Sequence, residues 1–296
     1  MGSGHWTRER FESYASARYG VSADRLEKSD LRVQEVFRKN EISPLLHPKN
    51  VMRSCRDSEE HPETVPVILA LDVTGSMGRA AVKTATSLNS IMTGIFCSEK
   101  IRDVEFCVMA IGDLHYDAAP IQISQFESDI RIAEQMDEVY FEGGGGGNTC
   151  ESYTAAWYMG LRHCDLDCWK RGKKGLIITL GDELPNPELN AGELARVTGD
   201  RLQAGIRTEE LLQEVREKFE VYHLSVDDPD SCYRYHQRRY DLDKAWTSLL
   251  GREHYRVVTI QQLQKVISEI AAAHAENQRE SAYARPKQKA MGRHLW

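Results

Sequence analysis

The sequence predicts an α/β protein with a doubly wound, mostly parallel central sheet flanked by helices, and three observations carry that expectation. Residues 67–71 are an unbroken apolar run, and a strand with no polar alternation must be covered on both faces, as in parallel sheets. Residues 174–180, KGLIITL, repeat the pattern. Between and beyond these runs, apolar residues at spacings of three and four alternate with further short apolar stretches, which is the signature of successive strand–helix units with right-handed crossovers.

Taken in order, the elements follow from these periodicities. Residues 79–96 place Val82, Ala85, Leu88, Ile91, Met92 and Ile95 on one stripe of a single helix packed on a sheet. Residues 104–111 read as a buried strand ending in Gly112-Asp113, residues 121–124 as a short edge strand and residues 128–136 as a short helix. The glycine run 143–147 leads through Asn148 and Thr149 into CESYTAAWYMGLRHC, whose apolar spacing is helical. Past the strand at 174–180 come a helix at 209–219, a strand at 221–226, a helix at 242–250, a strand at 255–258 and a last helix from 260 to about 275. The domain expected from this alternation spans 65–276. Residues 1–64 differ in character, with Phe11, Tyr14 and Tyr19 on one helix and prolines at Pro44, Pro48 and Pro62, and read as an arm packed on the domain. Residues 277–296 carry Arg279, Arg285, Lys287, Lys289 and Arg293 against Glu280 and read as a basic, mobile tail.

The chemistry concentrates where strands end. Asp72 closes the first apolar run, and Thr74 and Ser76 follow at offsets of two and four with Gly75 between them. Ligands bind at the carboxyl ends of strands in open α/β sheets, because the loops there diverge. One carboxylate and two hydroxyls form an all-oxygen cup suited to a hard cation such as Mg²⁺, which takes six oxygens at about 2.1 Å. Three side chains do not fill six positions. Thr149 after the glycine run and Asp182 after the strand at 174–180 supply a third hydroxyl and a second carboxylate from the same end of the sheet. Taken singly, a glycine run reads as a flexible loop and Thr149 as a helix N-cap. Asp113 and Glu183 lie beside the proposed ligands and read either as holders of a bound water or as solvated turn residues.

The ordered set DVTGS, Thr149 after glycines and Asp182 after a strand resembles the metal-ion-dependent adhesion site (MIDAS) of von Willebrand factor type A domains. The match covers about residues 66–274. Two positions depart from the family pattern: Thr74 stands where the usual D-x-S-x-S has a serine, and GDE replaces T-D-G, which puts Asp182 in a different turn. The resemblance implies that Thr74, Ser76 and Thr149 ligate the ion directly or nearly so, and that Asp72 and Asp182 bind it directly or through water. It implies Mg²⁺, with Mn²⁺ or Ca²⁺ as substitutes, and a protein partner that docks an Asp or Glu carboxylate on the metal. By analogy with stand-alone intracellular bacterial and phage members, it implies an adaptor working beside an AAA-type ATPase.

Composition narrows the alternatives. A formal net charge of −7 opposes broad nucleic-acid binding, which rests on neutralising phosphates. No apolar run reaches the roughly 18 residues of a membrane span, no signal peptide is recognisable, and Trp6 breaks the myristoylation pattern. Seven cysteines, an odd number set in apolar runs such as those holding Cys97 and Cys107, read as reduced thiols of a cytoplasmic protein. A zinc site joining Cys164 and Cys168 to Cys232 and His236 is opposed by the expected helix, which carries Cys164 away from the metal end. Two other functions compete with docking. A Mg²⁺-dependent phosphohydrolase of the haloacid dehalogenase type needs a second aspartate two residues after the nucleophile, and Thr74 occupies that place. A structural assembly protein with a vestigial metal site is the third reading. No Lys-Ser or Lys-Thr follows the glycine run, so a P-loop is excluded, and His115, His163 and His223 accompany no nucleophile elbow.

Overall fold

Residues that have water on neither side fix the centre of the molecule. The computed structural model describes residues 4–96, 103–144, 149–228 and 235–283. In β1 (Val65–Asp72) every residue after the first is buried, and β2 (Val104–Ile111) and β4 (Gly175–Gly181) are buried throughout. With β3 (Ile121–Ile123), β5 (Phe219–Asp227) and β6 (Tyr255–Thr259) they form a six-stranded sheet in the order β6-β5-β4-β1-β2-β3. All neighbours are parallel except the edge pair β2–β3. The fold class expected from the sequence is therefore the one observed.

Alternate residues of the central strands feed two separate cores. Val67, Leu69 and Leu71 join the first, together with α1 (Arg8–Tyr19), α2 (Gly78–Thr86), α3 (Leu88–Phe96) and the final helix. Ile68 and Ala70 join the second, with α4 (Thr154–Arg162) and α5 (Thr208–Lys218). α6 (Tyr235–Leu250) joins the second core through Trp246 and Leu250, and α7 (Leu263–Tyr283) joins the first through Leu263, Ile267 and Ile270. Ser268 of α7 donates to the carbonyl of Ile91 at 3.1 Å, and a side chain at Gly94 would collide with Ser268, so the two helices touch at small residues.

Register carries the functional ends into one line. Leu71 pairs with Leu180, Asp72 with Ile111, and Ser225 with Gly181. The loops after β1, β2, β4 and β5 therefore leave the sheet at the same rim.

The structure differs from the sequence expectation in several places. The helix expected at 79–96 is two helices broken at Ser87. Thr84 and Thr86 turn their hydroxyls back onto the carbonyls of Ala80 and Lys83, and such back-bonding bends or interrupts a helix. The short helix starts at Arg131 rather than at Ser128, and Asp129, ahead of it, accepts from the Arg131 N–H at 3.1 Å. The helix at 242–250 begins seven residues earlier, at Tyr235. The last helix opens with a 3-10 turn at Ile260–Gln262 and runs to Tyr283, into the stretch read as tail. Cys164 lies on a short strand, Cys164–Leu166, and Cys168 on the helix Asp167–Lys170, so the two do not share a helical face. Cys97 and Cys232 lie outside the described residues, and no disulfide joins the described cysteines. No described helix is long and apolar enough to cross a membrane.

The first 64 residues travel from one layer to the other. Phe11, Leu26, Val36, Phe37 and Leu46 are buried in the first core, while Tyr14 and Tyr19 pack at its margin. Lys83 on α2 donates to the Glu27 carbonyl at 2.9 Å, and Arg18 pairs with Asp137 at 2.8 Å. The chain then passes β3, where Ile123 N–H donates to the Leu46 carbonyl and Arg53 donates to the Ile123 carbonyl, each at 2.8 Å. Arg53–Cys55 finally pairs in parallel with Cys164–Leu166 over the second core. Because Phe11 has no exposed surface, Phe11→Ala is expected to cost about 3–5 kcal/mol of global stability. Urea denaturation checks this; an arm that merely rests on the domain would give less than about 1 kcal/mol.

Candidate metal site

Asp72 is the last residue of β1 and none of its surface is exposed. Its carboxylate survives there on hydrogen bonds. Thr74 donates its backbone N–H (2.8 Å) and its hydroxyl (2.5 Å) to Oδ1, and the Tyr153 hydroxyl donates to Oδ2 at 2.7 Å. Burial, and then the nearby negative charge of Asp182, still push its pKa up to about 7 against these bonds. The chain turns into the 3-10 segment Gly75–Met77, and Ser76 donates its hydroxyl to Asp182 Oδ1 at 3.0 Å. Thr74 thus bonds Asp72 and Ser76 bonds Asp182, and the two carboxylates, 110 positions apart in sequence, lie close enough for their charges to repel.

Thr149 enters through its backbone neighbours. The described end of the glycine loop is tied to the Asp72 loop, with Gly75 N–H donating to the Gly144 carbonyl (2.8 Å) and Gly143 N–H to the Val73 carbonyl (3.2 Å). Cys150–Glu151 pairs in parallel with Leu184–Pro185. Thr149, exposed and one residue before this pairing, lies along the chain opposite the turn that carries Asp182 and Glu183. Helix α4 does not begin until Thr154, so Thr149 is not its N-cap.

The two suspected neighbours resolve differently. Asp113 is fully buried rather than a solvated turn residue: its Oδ1 accepts from His115 N–H at 2.7 Å, and its own N–H donates to Asp117 at 2.7 Å. Glu183 is half-buried, and its backbone is held at both ends, the N–H donating to the Tyr153 hydroxyl (3.1 Å) and the carbonyl accepting from Trp246 Nε1 (3.1 Å).

Two residues of the site stand outside the sequence pattern. Tyr153 shares the apolar stripe that predicts a helix, and nothing in its spacing distinguishes a tyrosine whose hydroxyl reaches an aspartate. Glu151 is 4% exposed, and its Oε2 is buried with no hydrogen-bond partner among the described residues. Burial, and then the negative charges of Asp72, Asp113, Asp117 and Glu183, push its pKa up to about 10. A glutamate two residues past Thr149 is the one sequence signal that points to it.

The departure GDE has a steric cause. A Cβ on Gly181 would lie 2.2 Å from the Tyr153 ring and hydroxyl. Glycine precedes the aspartate here because the tyrosine occupies the space of a side chain.

The donor set suits a hard cation. Each hydroxyl of Thr74 and Ser76 spends its single proton on an aspartate, so oxygen lone pairs are what it retains for a ligand. The carboxylates here, two of them raised first by burial and then by neighbouring charge, gain from a positive ion. Among the described residues no group of three or more His, Cys, Asp or Glu side chains is set to hold a metal by itself. The hydroxyls are therefore indispensable to any such site.

No protein-family model matches the chain, and no curated protein does. Solved structures do. The chain is similar to the pilus adhesin SpaC of Lactobacillus rhamnosus GG in its open conformation, at 14% identity and a TM-score of 0.51 over 78% of this chain and 31% of the adhesin. The likeness is one of fold. The chain spans about a third of that adhesin's length. The von Willebrand factor domain of the type V pilus tip protein Mfa5 from Porphyromonas gingivalis aligns over 73% of this chain and 96% of that domain, at 11% identity and a TM-score of 0.44. Proximal thread matrix protein 1 of the mussel byssus, whose MIDAS motif is occupied by zinc, aligns over 77% of this chain and 47% of that protein, at 12% identity and 0.43. At those scores neither adds to the argument from geometry.

Two outcomes follow for the cation-free protein. Gly181→Ala is expected to cost about 1–3 kcal/mol through overpacking against Tyr153, measured by urea denaturation. Asp72 and Glu151 have folded pKa values of about 7 and 10, above their ordinary 3.8 and 4.5. The folded state then binds more protons than the unfolded one between pH 5 and 8, so these two groups make stability fall as the pH rises. Glu151→Gln is expected to flatten that slope in urea titrations at pH 5, 6, 7 and 8, and an unchanged slope would count against the assignment.

Proposed function

We propose that this protein is a divalent-cation-dependent docking module of the von Willebrand type A kind, holding Mg²⁺ at the sheet's rim and capturing a protein partner through an Asp or Glu side chain. The observation that supports it most is the pairing of each hydroxyl with an aspartate, Thr74 with Asp72 and Ser76 with Asp182, at strand ends brought level by register. Thr74, Ser76 and Thr149 would hold the ion by hydroxyl lone pairs, and Asp72 and Asp182 by carboxylate oxygens or through water. Bound there, the cation supplies an electrophilic position that a partner's carboxylate can fill by displacing water.

The protein's own residues decide how electrophilic that position is. Asp72 already accepts three hydrogen bonds, so it has little charge left to donate. Asp182 shares one oxygen with Ser76. Neutral hydroxyls and partly committed carboxylates leave the ion more positive than a cage of free carboxylates would. A phosphohydrolase is the poorer reading because Thr74, at the position of the required acid–base carboxylate, donates its proton to Asp72.

Titration calorimetry of EDTA-stripped protein with Mg²⁺ tests the metal. One ion per chain is expected, with the heat lost in Ser76→Ala and Asp182→Ala and little change in the urea midpoint. Because a proton competes for Asp72 with a pKa of about 7, affinity is expected to rise from pH 6 to pH 8. With Mn²⁺, enhanced water-proton relaxation should report an exchangeable bound water, and an aspartate-bearing peptide should reduce it. Wild type and both variants behaving alike toward Mg²⁺ would leave a vestigial site.

A further inference from the structure

We propose that Tyr153, braced by Trp246, is the positioning residue of the cation site: one hydroxyl that sets both aspartate loops at once. The inference rests on the metal reading above.

Tyr153 sits just ahead of α4, at the position that caps the helix, yet offers it no side-chain hydrogen bond. Its side chain goes instead beneath the rim, 1% exposed. A phenol hydroxyl has one proton and lone pairs to accept others. The proton goes to Asp72 Oδ2 at 2.7 Å, and a lone pair takes the Glu183 N–H at 3.1 Å. The first bond belongs to the β1 loop and the second to the β4 loop, so the spacing between the aspartates passes through a single oxygen atom.

The effect on Asp72 is directional. A carboxylate offers about four lone-pair positions. Thr74 takes two on Oδ1 and Tyr153 takes one on Oδ2. What remains would be available to a cation or its water, and the tyrosine bond holds the carboxylate that carries it.

The effect on Asp182 comes through the backbone. Glu183 is clamped between the Tyr153 hydroxyl at its N–H and the Trp246 indole at its carbonyl, the latter at 3.1 Å. Trp246 is in turn fixed by stacking on His223, with centroids 3.6 Å apart and planes 9° from parallel, and His223 is bonded to Thr179 of β4 at 2.8 Å. Trp246 and His223 have no exposed surface. The absence of a side chain at Gly181 is what admits the tyrosine ring. A chain of buried aromatic groups thus runs from the rim to α6.

Tyr153→Phe keeps the ring and removes the hydroxyl. A core-filling tyrosine would lose stability and leave cation binding untouched. A positioning tyrosine is expected to weaken Mg²⁺ binding about tenfold in titration calorimetry, the scale on which partners of metal ligands act. In an Asp72→Asn background the same change should weaken binding by less than about twofold, because the tyrosine acts through that carboxylate. Mg²⁺ should also change the tryptophan emission of the wild type, and Trp246→Phe should remove that change and weaken binding severalfold. This second variant serves if Tyr153→Phe gives no cooperative unfolding transition. Absence of Mg²⁺ binding by the wild type would sink the metal reading itself. Binding by the wild type that neither variant alters would overturn the role given to Tyr153.

Discussion

A carboxylate with no contact to water cannot stay at the end of a strand unless donors are brought to it, and Asp72 is that carboxylate. The three hydrogen bonds it accepts come from the loop it opens and from the approach to α4. Losing one of them would leave a buried charge under-satisfied, which is far more costly than losing a hydrogen bond at a surface. The loop after β1, the turn after β4 and the start of α4 are therefore constrained together. Parallel pairing supplies the coarse alignment, since Leu71 and Leu180 are directly opposite and the next residues leave the sheet side by side.

The crowding of acids around this point is a cost the fold accepts locally. Glu151 is buried among Asp72, Asp113, Asp117 and Glu183 and holds its proton to far above its ordinary pKa as a result. Elsewhere the protein treats carboxylates in the opposite way. Glu220 is brought down to about 2, first by its hydrogen bond to His274, and Asp167 to about 2 by Lys170 and Arg56 despite some burial. The division is not one of place alone, because burial pushes Glu105 up to about 7 at the amino end of β2, and Arg79 pairs with Asp228 at 2.9 Å at the rim. What sets the rim apart is that acids there act on one another, Asp182 on Asp72 and Asp72 on Glu151, and a positive ion would relieve both.

Much of this was legible in the sequence because it depends on local pattern. Unbroken apolar runs give buried strands, and Asp72, Thr74, Ser76 and Asp182 are fixed by their offsets from strand ends. Thr149 follows only as far as its backbone, since the glycine run beyond Gly144 and before Thr149 lies outside the described residues. What was not legible depends on contacts distant in sequence. Tyr153 has the spacing of any core residue, and its role appears only when β4 delivers Glu183 to its hydroxyl. The break at Ser87 comes from threonines turning back on their own helix, a choice that apolar periodicity does not record. The pairing of Arg53–Cys55 with Cys164–Leu166 joins two short segments with no alternation to announce either.

The arm also decides what the sheet can meet. β3 is the last strand on its side, and a bare strand there would offer a row of amide and carbonyl groups to any extended peptide. Leu46 and Arg53 occupy Ile123 at both its N–H and its carbonyl. Recruitment by strand addition, whether by a second copy or by a foreign chain, is thereby blocked at this border. The segment that reads least like part of the domain thus closes one of the sheet's two borders to recognition.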